Sequence, residues 1–252
     1  MARKNMKIIV FISKEIGLDL AKYLIKSFPN DDYLFIVFND IKDRFLKIID
    51  NTDQKYVDYN KAAIEKIKKE NIKYDWLLNL WRAHIFDADT ISLANKTLNI
   101  HPSLLPMARG SDPVVWTIRN NWSAGCSLHV ITPTIDSGPI WVQKEISYEM
   151  PITGGVLYKR IIDESINLFK NNWEVIRPGK LSVTSQEKGY KTFFRRELFE
   201  DRVIDLNKEE ESYLIISKLL AHDFSPDYTA HIKINDKKYS AKLILSEVKN
   251  DE

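Results

Sequence analysis

The chain has 252 residues, enough for one large domain or one domain with a small appendage. Hydrophobic residues make up 44% and charged residues 29%, an ordinary globular balance, and a formal net charge of +2 argues against a dedicated nucleic-acid binder, which carries a large basic excess. The single cysteine, Cys126, excludes an intrachain disulfide and reads as a buried structural thiol in the apolar run 126–132. The first apolar run, Ile8 to Ile12, is only five residues long. That is too short for a signal-peptide core or a membrane span, so a cytoplasmic protein with no membrane partner is expected.

Residues 7–13 read as a strand buried on both faces. Residues 18–27 have helical periodicity, and Pro29-Asn30-Asp31-Asp32 is a turn. A second buried strand follows over 33–38, then a helix-like stretch over 44–49 and a charged helix over 61–70 with Ile64 and Ile67 inward. Residues 75–81, 97–101 and 126–132 read as strands. Strands alternating with helices predict an α/β fold, a Rossmann-like and mostly parallel sheet with helices on both faces. In such sheets ligands bind beyond the carboxyl ends of the strands. Thr153-Gly154-Gly155 opens a long helix that runs to about 177, with Leu157, Ile161, Leu168, Phe169, Trp173 and Ile176 on its apolar side.

Composition shifts after Pro178-Gly179, and the chain divides into residues 1–185 and a small α+β C-terminal segment, 186–252. That segment has strand-like runs at 190–194 and 230–234 and a helix over 208–222, with Asn207 and Glu210 at capping-box spacing. It ends in a β-hairpin, turned at Asn235-Asp236-Lys237 before 239–245.

The eight glycines assemble neither a G-x-G-x-x-G fingerprint nor a P-loop, which excludes those two nucleotide cradles. The five histidines show no zinc spacing, so no metal is expected, and the absence of G-x-S-x-G argues against a serine nucleophile. The most informative stretch is Asn99-Ile100-His101-Pro102-Ser103-Leu104-Leu105-Pro106, followed by Asp136-Ser137-Gly138-Pro139. In an extended chain residues i and i+2 share a face, so Asn99 and His101 project together before Pro102 stops the strand. An amide donor, an imidazole and a carboxylate can together run acyl transfer. On spacing alone, a buried structural histidine explains Asn99-x-His101 equally well. His129 falls on the Ser127 and Ile131 face of its strand, where a structural role is the favoured reading.

The Asn-x-His-Pro-Ser-Leu-Leu-Pro string, the Asp-Ser-Gly-Pro-Ile turn and the 35-residue gap from His101 to Asp136 resemble the formyltransferase family that uses N10-formyltetrahydrofolate. The resemblance is good over 5–185 and weak beyond. It implies that 1–185 is the catalytic domain and that Asn99, His101 and Asp136 form its catalytic triad. It implies that the folate pterin is gripped by backbone at His84, Ile85 and Phe86 and by the loop bearing Thr132, Pro133 and Ile135. It places Trp81, Arg82, Ser103, Met107 and Arg109 on the substrate side, with Arg82 and Arg109 each either on a substrate phosphate or in a surface ion pair. It further implies a cis peptide at Leu105-Pro106 and a homodimer built through the C-terminal segment.

Family members differ in acceptor. The length lies between that of the purine-pathway enzyme and that of the methionyl-tRNA enzyme, and points to a nucleotide-linked amino sugar, a dTDP-4-amino-4,6-dideoxyhexose for surface polysaccharide. Methionyl-tRNA and glycinamide ribonucleotide are the alternative acceptors. A catalytically silent folate- or nucleotide-binding protein is the non-enzyme alternative.

Overall fold

In the computed structural model, which describes residues 5–50, 52–82, 84–235 and 237–248, apolar runs become strands and amphipathic stretches become helices. The first half comprises β1 (Lys7–Ile12), α1 (Lys14–Ser27), β2 (Asp32–Val37), α2 (Lys42–Ile49), β3 (Lys55–Asp58), α3 (Lys61–Lys69), β4 (Tyr74–Leu80), α4 (Ala88–Ser92) and β5 (Ala94–His101). Next come β6 (Arg109–Gly110), α5 (Pro113–Arg119), β7 (Ala124–His129), β8 (Ile140–Ile146) and the long α6 (Gly154–Ile176). The chain closes with β9 (Thr192–Phe193), α7 (Arg195–Asp201), β10 (Val203–Ile204), α8 (Ser212–Ala221), β11 (Ala230–Ile234) and β12 (Lys237–Ala241).

Seven strands form one sheet in the order β3-β2-β1-β4-β5-β7-β8. β1 to β5 pair in parallel, whereas β7 runs antiparallel to both β5 and β8. This is the expected α/β class. After Lys7, β1 is apolar because both its faces are covered: Ile8, Val10 and Ile12 join the larger core with Trp76, Phe169 and Trp173, and Ile9 and Phe11 join the smaller one with Ile64, Ile67 and Phe86. From β1 the strand order grows first toward β2 and then toward β4, which opens a crevice beyond their carboxyl ends. Leu105–Pro106 is cis, as are Met150–Pro151 and Ser225–Pro226. Among the described residues no helix is long and apolar enough to cross a membrane.

The C-terminal segment differs from the sequence reading in several ways. Its chain does not sit apart: Phe193 stacks on Trp116 with centroids 4.3 Å apart, and Leu198 and Ala221 belong to the larger core. β9 pairs with β6, next to the proline-flanked loop. The hairpin gains a third strand, since β10 lies parallel to β11. β12 spans Lys237–Ala241 and not 239–245, because Ala230 pairs with Ala241 and the ladder ends there. Asp236, part of the expected turn, lies outside the described residues. The helix expected over 208–222 starts only at Ser212, and the capping box does not form. The Asn207 amide donates to Asp205 Oδ1 at 3.0 Å, and the Glu210 carboxylate turns to Lys218 Nζ at 3.3 Å. The strand expected over 126–132 ends at His129, where a bulge between Leu128 and His129 breaks the register with β8. β3, β8, α4, α5 and α7 are elements that the periodicity did not reveal.

Candidate active site

Three adjacent strands present a polar row at their carboxyl side. Asn79 on β4 is in register with Asn99 on β5, and Asn99 is in register with His129 on β7. Asn79 Nδ2 donates to Asn99 Oδ1 at 2.7 Å and to the Arg82 carbonyl at 2.8 Å. Because Asn99 Oδ1 is already accepting, its Nδ2 must face the other way, 2.8 Å from His129 Nε2. His129 Nδ1 lies 2.9 Å from the Val130 carbonyl, which can only accept, so Nδ1 carries the ring proton and Nε2 accepts from Asn99. The second hydrogen on Asn99 Nδ2 has no acceptor among the described residues.

His101 ends β5 on the same face and is buried. Its Nε2 donates to the Ala108 carbonyl at 3.0 Å, and its Nδ1 lies 3.4 Å from Asp136 Oδ2. Asp136 comes from the loop after β7, where Asp136 itself takes a left-handed φ of 47°. Its Oδ2 accepts from the Gly110 amide at 2.9 Å, and its Oδ1 lies 3.6 Å from His129 Nε2. Burial alone would raise the Asp136 carboxyl, but His101, His129 and the Gly110 amide outweigh it and hold the group well below the usual carboxylate range. Burial pushes the His101 imidazole down, with the Asp136 charge acting against it. The result is a carboxylate with His101 Nδ1 3.4 Å from one oxygen and His129 Nε2 3.6 Å from the other. Such a cluster can take up a proton, and the open N–H of Asn99 beside it can donate to a developing oxyanion.

The structure thus brings Asn99, His101 and Asp136 together. It also adds two residues that the sequence reading did not select. His129 was read as structural because alternation alone does not show which strand its ring meets. Asn79 had a signal, as the one amide in the buried run Trp76 to Leu80.

The other expected residues divide by burial. Arg82 is exposed, with its guanidinium 4.2 Å over the Phe38 ring, and Ile85 is 69% exposed. His84 Nδ1 lies 3.4 Å from Tyr59 Oη, and burial, then the Arg82 charge, lowers its pKa. Pro133 is exposed and Thr132 and Ile135 are half-buried in the loop before Asp136, where Thr132 Oγ1 donates to the Thr134 carbonyl at 2.9 Å. Phe86, by contrast, packs edge-on against Phe11 inside the core. Trp81 is buried, with Nε1 donating to Tyr158 Oη at 3.1 Å. Ser103 is buried and donates to the Met107 carbonyl at 2.7 Å, a bond that shapes the proline-flanked loop. Arg109 is also buried, its guanidinium on Gln186 Oε1 and the Glu187 carbonyl. It therefore meets neither a surface carboxylate nor open solvent. Among the described residues no group of His, Cys, Asp and Glu could hold a metal ion.

Residues 80–171, which run from the end of β4 through most of α6 and include Asn99, His101, His129 and Asp136, match the family described as Formyl transferase. Over this stretch the chain is similar to that family. A methionyl-tRNA formyltransferase from Thermotoga maritima is 32% identical over 135 residues, which are 53% of this chain and 42% of that one. The match thus spans less than half the length of that relative. A dTDP-4-amino-4,6-dideoxyglucose formyltransferase from Mycobacterium tuberculosis is 27% identical over 161 residues, 63% of this chain and 68% of that one. The chain shares its fold with an N-formyltransferase from Helicobacter canadensis solved with folinic acid and dTDP-3-aminofucose. There the TM-score is 0.71 at 20% identity, covering 93% of this chain and 86% of that one.

Proposed function

We propose that this protein transfers a formyl group from N10-formyltetrahydrofolate to the amine of a nucleotide-linked amino sugar, a dTDP-4-amino-4,6-dideoxyhexose. The observation that carries the reading is the Asp136 carboxylate set between His101 Nδ1 and His129 Nε2, beside the open N–H of Asn99. The amine attacks the formyl carbon, and the C–N bond forms as the carbonyl oxygen gains charge. Asn99 donates to that oxygen. The proton leaving the amine passes to the Asp136–His101 pair, directly or through water, and is returned to the folate N10 as the adduct collapses, so that the C–N10 bond breaks and tetrahydrofolate leaves neutral. Folate enters between Ile85 and the loop bearing Thr132, Pro133 and Ile135, and Arg82 meets the diphosphate. Support for the acceptor comes from the mycobacterial relative, named for a dTDP-4-amino sugar, and from the Helicobacter protein, which binds folinic acid and dTDP-3-aminofucose.

Residues 1–185 carry the transfer chemistry. The segment from 186 onward would contact a second copy in a homodimer, through exposed apolar residues such as Tyr213 and Leu214 of α8 and Ile244 and Leu245 beyond β12. The cellular setting of this reading is surface-polysaccharide synthesis in the cytoplasm, with no nucleic-acid or membrane partner.

The test is to incubate the purified protein with N10-formyltetrahydrofolate and each of several acceptors: dTDP-4-amino-4,6-dideoxyglucose, dTDP-3-aminofucose, glycinamide ribonucleotide and methionyl-tRNA. Formylated sugar nucleotide with matching release of tetrahydrofolate is expected. Efficient formylation of the tRNA or of the ribonucleotide would overturn the acceptor. Silence with all four, despite folate binding, would point to the non-catalytic alternative.

A further inference from the structure

The Asp136 loop is held from outside the residues that carry the chemistry. Gln186, in the chain after α6, spends its whole amide on this loop and on Arg109. Its Nε2 donates to the Asp136 carbonyl at 2.9 Å and to the Gly138 carbonyl at 2.6 Å. Its Oε1 accepts from Arg109 Nε at 3.0 Å and from Nη2 at 2.6 Å. The residue after Arg109 closes the circle, because the Gly110 amide donates to Asp136 Oδ2 at 2.9 Å. The residue before Arg109 supplies the carbonyl that fixes His101. Three consecutive residues, Ala108, Arg109 and Gly110, therefore touch His101, Gln186 and Asp136 in turn.

Two features make this ring more than packing. Asp136 lies in the left-handed region, which a residue with a Cβ leaves unless its surroundings hold it there. The carbonyls that Gln186 grips are those of Asp136 itself and of Gly138, so the grip falls on the turn that aims the carboxylate. The donor pattern is also selective. Two carbonyls and one guanidinium need two hydrogens and one acceptor from the same side chain, and a primary amide supplies them. A carboxylate would keep the Arg109 contact and lose both donors.

We propose that Gln186 is a positioning residue for the transfer reaction, acting through Asp136 and Arg109 to set the carboxylate against His101 and His129. The proposal rests on the formyl-transfer reading for its kinetic test and brings the first residue of the C-terminal segment into the working site.

Gln186→Met keeps the side-chain length and removes every bond. Gln186→Glu keeps the Arg109 contact, and so the packing, without the donors. Both should lower kcat on the order of 10²-fold, the scale of a misplaced catalytic group, while KM for folate and acceptor stays within about threefold. Arg109→Met combined with Gln186→Met should fall no further than the lower of the two single variants, because both break one ring. An activity-independent readout is the NMR titration of the histidine side chains. As Asp136 turns away in Gln186→Met, the His101 midpoint should drop relative to the unaltered protein. Turnover within twofold of the unaltered protein in a folded Gln186→Glu, or a histidine titration that does not move, would overturn the role. Should the unaltered protein formylate no acceptor, the functional reading fails, and the titration still decides whether Gln186 sets the carboxylate.

Discussion

Two half-buried aspartates, each beside a histidine, sit in different parts of this molecule and are finished in opposite ways. Asp201, at the end of α7, is saturated with donors. Arg119 reaches it through Nε at 2.9 Å and Nη2 at 3.0 Å, and His222 Nε2 donates at 2.8 Å. The remaining atoms of these partners are also bound, Arg119 Nη1 to Ser217 Oγ and the Leu214 carbonyl, and His222 Nδ1 to Tyr228 Oη. Asp136 has one bond of ordinary length, from Gly110, and its two imidazole neighbours stand off at 3.4 and 3.6 Å. The same residue types thus make a clasp in one place and a proton acceptor in the other. The difference lies in whether the donors around the carboxylate are complete.

The comparison breaks if the Asp136 site behaves as a clasp. The largest effect is expected at Asn99, whose free N–H is a preorganised donor. Asn99→Ala should lower kcat on the order of 10²–10³-fold, about 3–4 kcal/mol of barrier, with little change in the thermal unfolding midpoint. Turnover near that of the unaltered protein would remove Asn99 from the chemistry. The clasp should show the inverse pattern. Asp201→Ala strands Arg119 and His222 with small residual exposure, and should cost about 3 kcal/mol of stability, the lower end for a broken buried pair. Chemical denaturation would read this as a lower midpoint, and a variant as stable as the unaltered protein would show that the clasp holds nothing.

A smaller effect sharpens the same contrast at Asn79, which orients Asn99 without reaching the reacting atoms. Asn79→Ala should lower kcat roughly tenfold, the loss of one buried hydrogen bond of about 1.4 kcal/mol, and leave KM for the acceptor unchanged. Equal losses in kcat and folate affinity would instead assign Asn79 to the Arg82 carbonyl.

The smallest effect is in the pH dependence. Burial would raise both carboxyls, and their neighbours hold both below the usual range, His222 and Arg119 at Asp201, His101 and His129 at Asp136. A group with a depressed folded pKa contributes stability above its unfolded value, near 3.9 for Asp, and loses it as pH falls through the folded value. The clasp should therefore hold through pH 5 and loosen below about pH 4. Hydrogen exchange of the α8 amides would report it, and loosening already at pH 6 would contradict the sign. Turnover should likewise show no carboxylate limb between about pH 4 and 6 that disappears in Asp136→Asn.

Much of the fold was legible in the sequence, because buried parallel strands must be apolar on both faces and helices amphipathic on one. Runs such as those of β1, β2 and β4 carry that requirement in their composition. The N-terminus of α6 was legible too, since Thr153 accepts from the Val156 amide as its sequence position suggests. The capping box at Asn207 was not, because Asp205, before the helix, takes the Asn207 amide and Lys218, within it, takes the Glu210 carboxylate. β3, β8 and α5 were missed where exposure or brevity blurs the period.

At the site the sequence by itself determined the cast and the local geometry: Asn99 and His101 share a face because a strand alternates with period two, and the prolines stop the strand beside them. Only the tertiary structure decided the rest. Register across β4, β5 and β7 placed Asn79 and His129 on either side of Asn99. The chain beyond α6 returned Gln186 to the Asp136 loop and took Arg109 away from solvent. Those contacts join residues 20 to 77 positions apart, and pairing at such separations depends on how the sheet orders its strands, which no local pattern encodes.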